Sequence, residues 1–186
     1  MRRRVHCRVA LAVLVALSLA GCLGTGSLPA SGVDDRGPTD STRCTGNGTT
    51  PEIAPTGSLP ASASGFELTA SDSTVERGAR ITFELTNVAT EQQSTGTRHR
   101  YALQRRAGGG WTTVTQFSGD RSGFNATAVF HDPGRGFEWT VQASAAGFST
   151  DKFVVCDRLP PGEYRFVYDA ARPVAVEFEL TERAGA

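Results

Sequence analysis

The side chains suited to acid–base or metal chemistry are few. Histidine occurs at His6, His99 and His131, and only His131 has an acid beside it, Asp132. Such a pair could move a proton or hold a metal ion if both groups converged on one point. Neighbouring strand residues point to opposite faces, however, and Asp132-Pro133-Gly134 is also a turn signal. No GxSxG, HExxH, Walker or dinucleotide-binding pattern occurs anywhere in the chain. The reading is therefore of no catalytic residue, no metal and no cofactor, with a loop site near His131 as the enzymatic alternative.

The densest charge lies in RHRYALQRR, residues 98–106. On a strand, Arg98, Arg100 and Arg106 share one parity, while His99, Tyr101 and Leu103 share the other. Two readings follow. The arginines form a solvated face that discourages edge pairing, or they form a patch for an acidic polymer such as a surface glycan.

The N-terminus speaks to location. MRRRVHCR carries four arginines and no acid, and the apolar run from Val9 to Ala20 is too short to span a bilayer comfortably. A basic start, a short apolar stretch and small residues describe a secretory signal. Its ending, Leu19-Ala20-Gly21-Cys22, resembles the lipobox of prokaryotic lipoproteins. That resemblance implies a signal peptide over residues 1–21, cleavage before Cys22, and diacylglycerol on its thiol. The protein would then be exported and held by lipid on the outer face of the cell membrane. The competing readings are an ordinary cysteine after a plain signal peptide and an uncleaved anchor. The consecutive arginines match the twin-arginine signal only weakly, so the export route, general secretory or twin-arginine, stays open.

Export changes both charge and thiol chemistry. The full chain balances 19 basic against 19 acidic residues, and loss of the four N-terminal arginines leaves the remainder with four more acids than bases. A mildly acidic protein is a poor nucleic-acid partner. If Cys7 leaves with the signal and Cys22 takes lipid, as the resemblance implies, Cys44 and Cys156 are left in an oxidising compartment and are expected to pair. Closing that loop would stabilise the fold by about 4 to 5 kcal/mol in the chain-entropy model. A metal or redox site is disfavoured, since there is no CxxC and no histidine near either thiol. Two sequons, at Asn47 and Asn125, sit in loop-like composition as glycan acceptors.

Behind these sites the chain divides by composition. Residues 23–65 contain no aromatic side chain, are rich in Gly, Ser, Thr, Pro and Ala, and repeat TGSLPAS at 25–31 and 56–62. Residues 22–65 therefore read as the lipidated end and a flexible tether. Every Phe, Trp and Tyr falls between Phe66 and Phe178, so one domain is expected over 66–182, with a short tail at 183–186. Its apolar residues alternate, as in RITFELT and FEWTVQA, and turn signals punctuate them at 76–79, 107–110, 132–136 and 160–162. That pattern predicts antiparallel strands near 66–71, 79–87, 99–106, 111–117, 127–131, 136–143, 152–156, 163–169 and 173–181, with no helix.

ITFELTN, YALQRRAGGGWTTV and above all LPPGEYRFVY resemble the bacterial immunoglobulin-like domains found on many lipoproteins. The resemblance implies an all-β immunoglobulin-like sandwich, a core plug at Leu159, and a tyrosine corner in which the Tyr164 hydroxyl bonds back to nearby backbone. It also places Trp111 at a sheet edge. Cys44 precedes the first strand, so a Cys44–Cys156 bridge would not be the inter-sheet bridge of antibody domains. The family supplies surface modules for binding or spacing and no catalytic residues. The function expected is a lipid-anchored surface module that meets the membrane through Cys22 and an envelope protein or surface glycan through its head. A small exported enzyme or inhibitor is the alternative.

Overall fold

The computed structural model describes residues 49–51, 56–118 and 123–183. The signal segment, Cys7, Cys22, Cys44 and Asn47 lie outside the described residues.

Alternating burial builds two facing sheets. The first is antiparallel and runs β1 (Ser62–Ala63), β2 (Phe66–Ala70), β4 (Arg80–Asn87), β10 (Gly136–Gln142). The second has five strands in the order β3 (Thr74–Glu76), β13 (Val174–Thr181), β12 (Gly162–Tyr168), β6 (Tyr101–Ala107), β7 (Gly110–Thr113). Within it every neighbouring pair is antiparallel except β3 and β13, which run parallel. Two ribbons complete the strands: β5 (Gln93–Thr95) with β9 (Val129–His131), and β8 (Gln116–Phe117) with β11 (Phe153–Val154).

The core lies between the sheets. Phe83 from β4 stacks on Phe166 from β12 with ring centroids 4.4 Å apart and planes 7° from parallel. Phe66, Leu68, Ile81 and Leu85 of the first sheet face Tyr101, Leu103, Tyr164, Tyr168 and Phe178 of the second, all buried. Burial of aromatic faces on this scale supplies most of the drive to fold. The architecture is the immunoglobulin-like β-sandwich.

Several local features depart from the sequence reading. Composition assigns Ser62 and Ala63 to the tether, yet they pair with Glu67 and Phe66 as a strand. Ser64 and Gly65 both take positive φ, 52° and 80°, which is the two-residue turn that matches the twist of a hairpin. Residues further back also engage the head through backbone groups. Thr49 O accepts from Phe117 N, and Pro60 O accepts from Ala175 N. Backbone bonds of this kind need no apolar side chain, so composition is blind to them.

The strand expected from 99 starts at Tyr101, because a turn closed by Arg100 N on Thr97 O precedes it. The strand expected over 111–117 divides into β7 and β8. Where no helix is expected, Ala145–Phe148 forms one turn of α-helix, with Ser144 Oγ accepting from Gly147 N as its cap. It buries Ala145 and Phe148 against the core. The short β3 and β5, three residues each, also escape the sequence pattern.

Candidate functional site

The His131 and Asp132 side chains do not converge. His131 ends β9 with its ring enclosed edge-on by Phe66 and Phe137, at centroid distances of 5.7 and 4.7 Å. Its Nε2 lies 2.9 Å from Thr95 Oγ1. The Thr95 hydroxyl spends its hydrogen on Gly96 O, so Nε2 carries the proton and donates to Thr95. Burial pushes the His131 pKa below its ordinary value, which favours the neutral ring. Asp132 instead accepts from Gln92 Nε2 at 2.8 Å, in an exposed loop. Asn87, buried at the end of β4, donates to the His131 and Glu91 carbonyls and accepts from Ala89 N, which fixes the loop on both sides. His131 is thus built into the core, while the neighbouring acid is engaged with Gln92 in the loop.

The arginines of RHRYALQRR are likewise apart. Arg98 and Arg100 fall in the turn before β6, so strand parity does not align them with Arg106. Arg98 Nη2 donates to Glu138 O at 2.8 Å, and Trp139 Nε1 donates to Arg98 O at 3.0 Å. Arg100 pairs with Asp169 and lies over the Phe124 ring. Arg106, at the far end of β6, meets Glu163 at 3.3 Å and lies beside Trp111. The sequence places the three on one face; the fold puts two at one end of β6 and one at the other. His99 shares the turn, and its pKa is lowered by burial, then by Arg98 and Lys152, against the opposing effect of Asp151.

The tyrosine corner builds one end of the sandwich. Tyr164 Oη donates to Pro160 O at 2.6 Å, across the turn between Pro160 and Gly162, and Leu159 is buried in the core. Beside this corner a cleft of about 280 Å³ opens between β6, β7 and residues 155–160. Arg105 lines it. In register Arg105 lies opposite Tyr164 and Thr112, on the inward face shared with Tyr101 and Leu103. Its Nε is shut off from solvent and has no hydrogen-bond partner. Sequence reasoning passes over this residue, although its parity with Tyr101 and Leu103 is the signal that turns a cation inward.

The outer face of the five-stranded sheet carries a second buried cation, Arg165. Its Nε donates to Gln104 Oε1 at 2.6 Å and its Nη1 to Gly57 O at 2.7 Å. Trp111 lies on this outer face of the edge strand β7, with the Arg165 guanidinium over its ring.

Of the remaining residues marked by the sequence, Asn125 is exposed in the coil before β9. Cys156 is disulfide-bonded, to a partner outside the described residues. Among the described residues there is no cluster of three or more metal-binding side chains, and no helix long and apolar enough to cross a membrane.

A family profile described as a bacterial Ig-like domain matches residues 62–179, more than half of the chain. No curated protein matches. Among solved structures, a β-glucosidase from Listeria innocua in complex with glucose is 13% identical with a TM-score of 0.31, over 62% of this chain and 16% of that one. A β-glucosidase from Erythrobacter marinus, EmGH1, is 16% identical with a TM-score of 0.33, over 63% of this chain and 15% of its own. The chain therefore spans about a sixth of those enzymes, at a similarity too low to carry function.

Proposed function

The chain belongs to the bacterial Ig-like domain family, and from that premise we propose that it is a lipid-anchored surface module whose work is binding or spacing and not catalysis. What carries this reading is the order of parts along the chain. A basic, apolar leader ends in Leu19-Ala20-Gly21-Cys22, a tether-like segment follows, and the Ig-like sandwich comes last. Diacylglycerol on Cys22 is the membrane partner, and the head is presented to an envelope protein or a surface glycan.

The chemistry of the head supports the same reading. Its buried histidine is committed to aromatic packing and to Thr95, and Arg98, Arg100 and Arg106 to a carbonyl or to acids. The pairing of Cys156 with Cys44 belongs to the proposal, and it shortens the free spacer to residues 23–43. Asn125 is open to glycosylation, and Asn47 is the second acceptor.

Substituting Cys22 with Ser in the full chain tests the anchor. The variant is expected in the culture medium, and the parent in the membrane fraction, carrying label from a radioactive fatty acid. A Cys22→Ser protein that stays with the membrane overturns the reading.

A further inference from the structure

We propose that the cleft beside the tyrosine corner binds one sugar ring carrying a carboxylate, a hexuronate, with Arg105 as the anchor for the acid. This deepens the binding half of the function proposed above and rests on it.

Arg105 has no structural occupation that explains it. It is turned inward on β6, opposite Tyr164, where every other inward residue of the strand is apolar or aromatic. Its Nε is buried and unpartnered, and a buried donor left unpaired is costly in a folded protein. The residue as a whole is only partly buried and lines the cleft. An arginine held in this way lacks an acceptor, and a planar carboxylate is the acceptor its fork matches best, through two parallel N–H···O bonds. A small rotation of the guanidinium about its last torsions would bring the buried Nε edge to such a ligand.

The rest of the lining favours a sugar over a bare anion. Thr112, Gln116 and Asp157 offer hydroxyl, amide and carboxylate groups of the kind that hydroxyls pair with, while Val114, Leu159 and Pro160 supply an apolar wall. Asp157 in particular would repel a second negative charge, so the site suits one acid on a hydroxylated ring. Its volume, about 280 Å³, lies at the small end of ligand pockets and suits a single ring. The wall is held in place by the Tyr164 bond to Pro160 and by Leu159 in the core. The other arginine of the cleft, Arg158, is already engaged with Glu182 at 3.6 Å.

Calorimetric titration of the full-length Cys22→Ser chain with glucuronate, glucose and acetate tests the site. Glucuronate is expected to bind in roughly the millimolar range, and glucose and acetate each about tenfold more weakly or worse. Arg105→Met should lose glucuronate binding by about tenfold or more with no loss of thermal stability, since it removes an unsatisfied donor. Arg105→Lys keeps the charge without the fork and should weaken binding several-fold, which gives a reading even if the Met variant unfolds. No binding of glucuronate, unchanged binding by Arg105→Met or Arg105→Lys, or acetate binding as tightly as glucuronate would each overturn the proposal. Release of the Cys22→Ser chain without glucuronate binding removes this ligand and leaves the anchored module standing. Retention of that chain on the membrane removes the anchor and leaves the affinity of the folded head to be judged by the same titration.

Discussion

Arg165 lies with its guanidinium carbon 4.5 Å from the centre of the Trp111 ring, and the same guanidinium donates to the carbonyl of Gly57. One side chain in the middle of the sheet therefore holds both the edge strand β7 and the segment that leads into the domain. It sits across from Glu177 in the strand register. Burial pulls its pKa below the usual arginine value, and Glu177 opposes that pull. The group stays a cation because arginine is not deprotonated in proteins. Its hydrogen bonds and the Trp111 face are what offset the loss of hydration.

Replacing Arg165 with Met should destabilise the domain by about 2 to 4 kcal/mol, the scale of losing charge-assisted bonds to Gln104 Oε1 and Gly57 O. The loss should be visible as a lower urea midpoint. It should also appear as faster amide exchange over residues 56–61 and a shift in Trp111 emission, because the anchor of that segment has gone. Unchanged exchange there would show that the segment is held by other means.

The tyrosine corner makes a smaller claim. Tyr164→Phe removes the hydroxyl and with it the bond to Pro160 O while keeping the ring, so stability should fall by about 1 kcal/mol, or a few degrees in Tm for a domain of this size. Thermal unfolding followed by circular dichroism measures it. A variant as stable as the parent would mean that the hydroxyl is equally well satisfied by water.

Gly136 marks where β10 comes against β4. A Cβ there would sit 1.5 Å from the Leu85 carbonyl oxygen, and a contact of that kind can be relieved only by moving the strand. Gly136→Ala should therefore cost about 3 kcal/mol or more, above the usual range for overpacking. Soluble yield and urea midpoint are the readouts, and a loss below about 0.5 kcal/mol would contradict the register of the two strands.

The sandwich was legible because its signal is local and repeated. Ile81, Phe83 and Leu85 alternate with polar neighbours, and the fold uses that alternation directly. The features that escaped are those in which backbone or context decides. Ser62 and Ala63 enter the sheet through a turn at Ser64-Gly65, and their composition matches the tether before them. Ala145–Phe148 is too short for a period and contains Gly147, so only its Ser144 cap could have announced it. The shared strand parity of the three arginines was lost for a related reason: parity aligns residues only while the chain stays extended, and the Thr97–Arg100 turn breaks it. Arg105 was hidden the other way round. Its parity was correct and pointed inward, but an arginine on a strand is ordinarily read as a surface residue.

The two histidines give the domain a pH dependence of fixed sign. Both have folded pKa values below the ordinary 6.5, His131 through burial and His99 through burial and then its cationic neighbours. Above about pH 7 folded and unfolded chains are both neutral at these rings, and neither histidine affects stability. As the pH falls through 6.5 toward the folded values, the unfolded chain takes up protons that the folded chain refuses. Stability must then decline. Urea midpoints measured from pH 8 to pH 5 should show this fall. His131→Gln should lower the midpoint at pH 8, by losing its packing between Phe66 and Phe137, yet flatten the decline below pH 7. Adding His99→Gln should flatten it further. A double variant that loses stability between pH 7 and pH 5 as steeply as the parent would assign the dependence to other groups and remove His131 from the account.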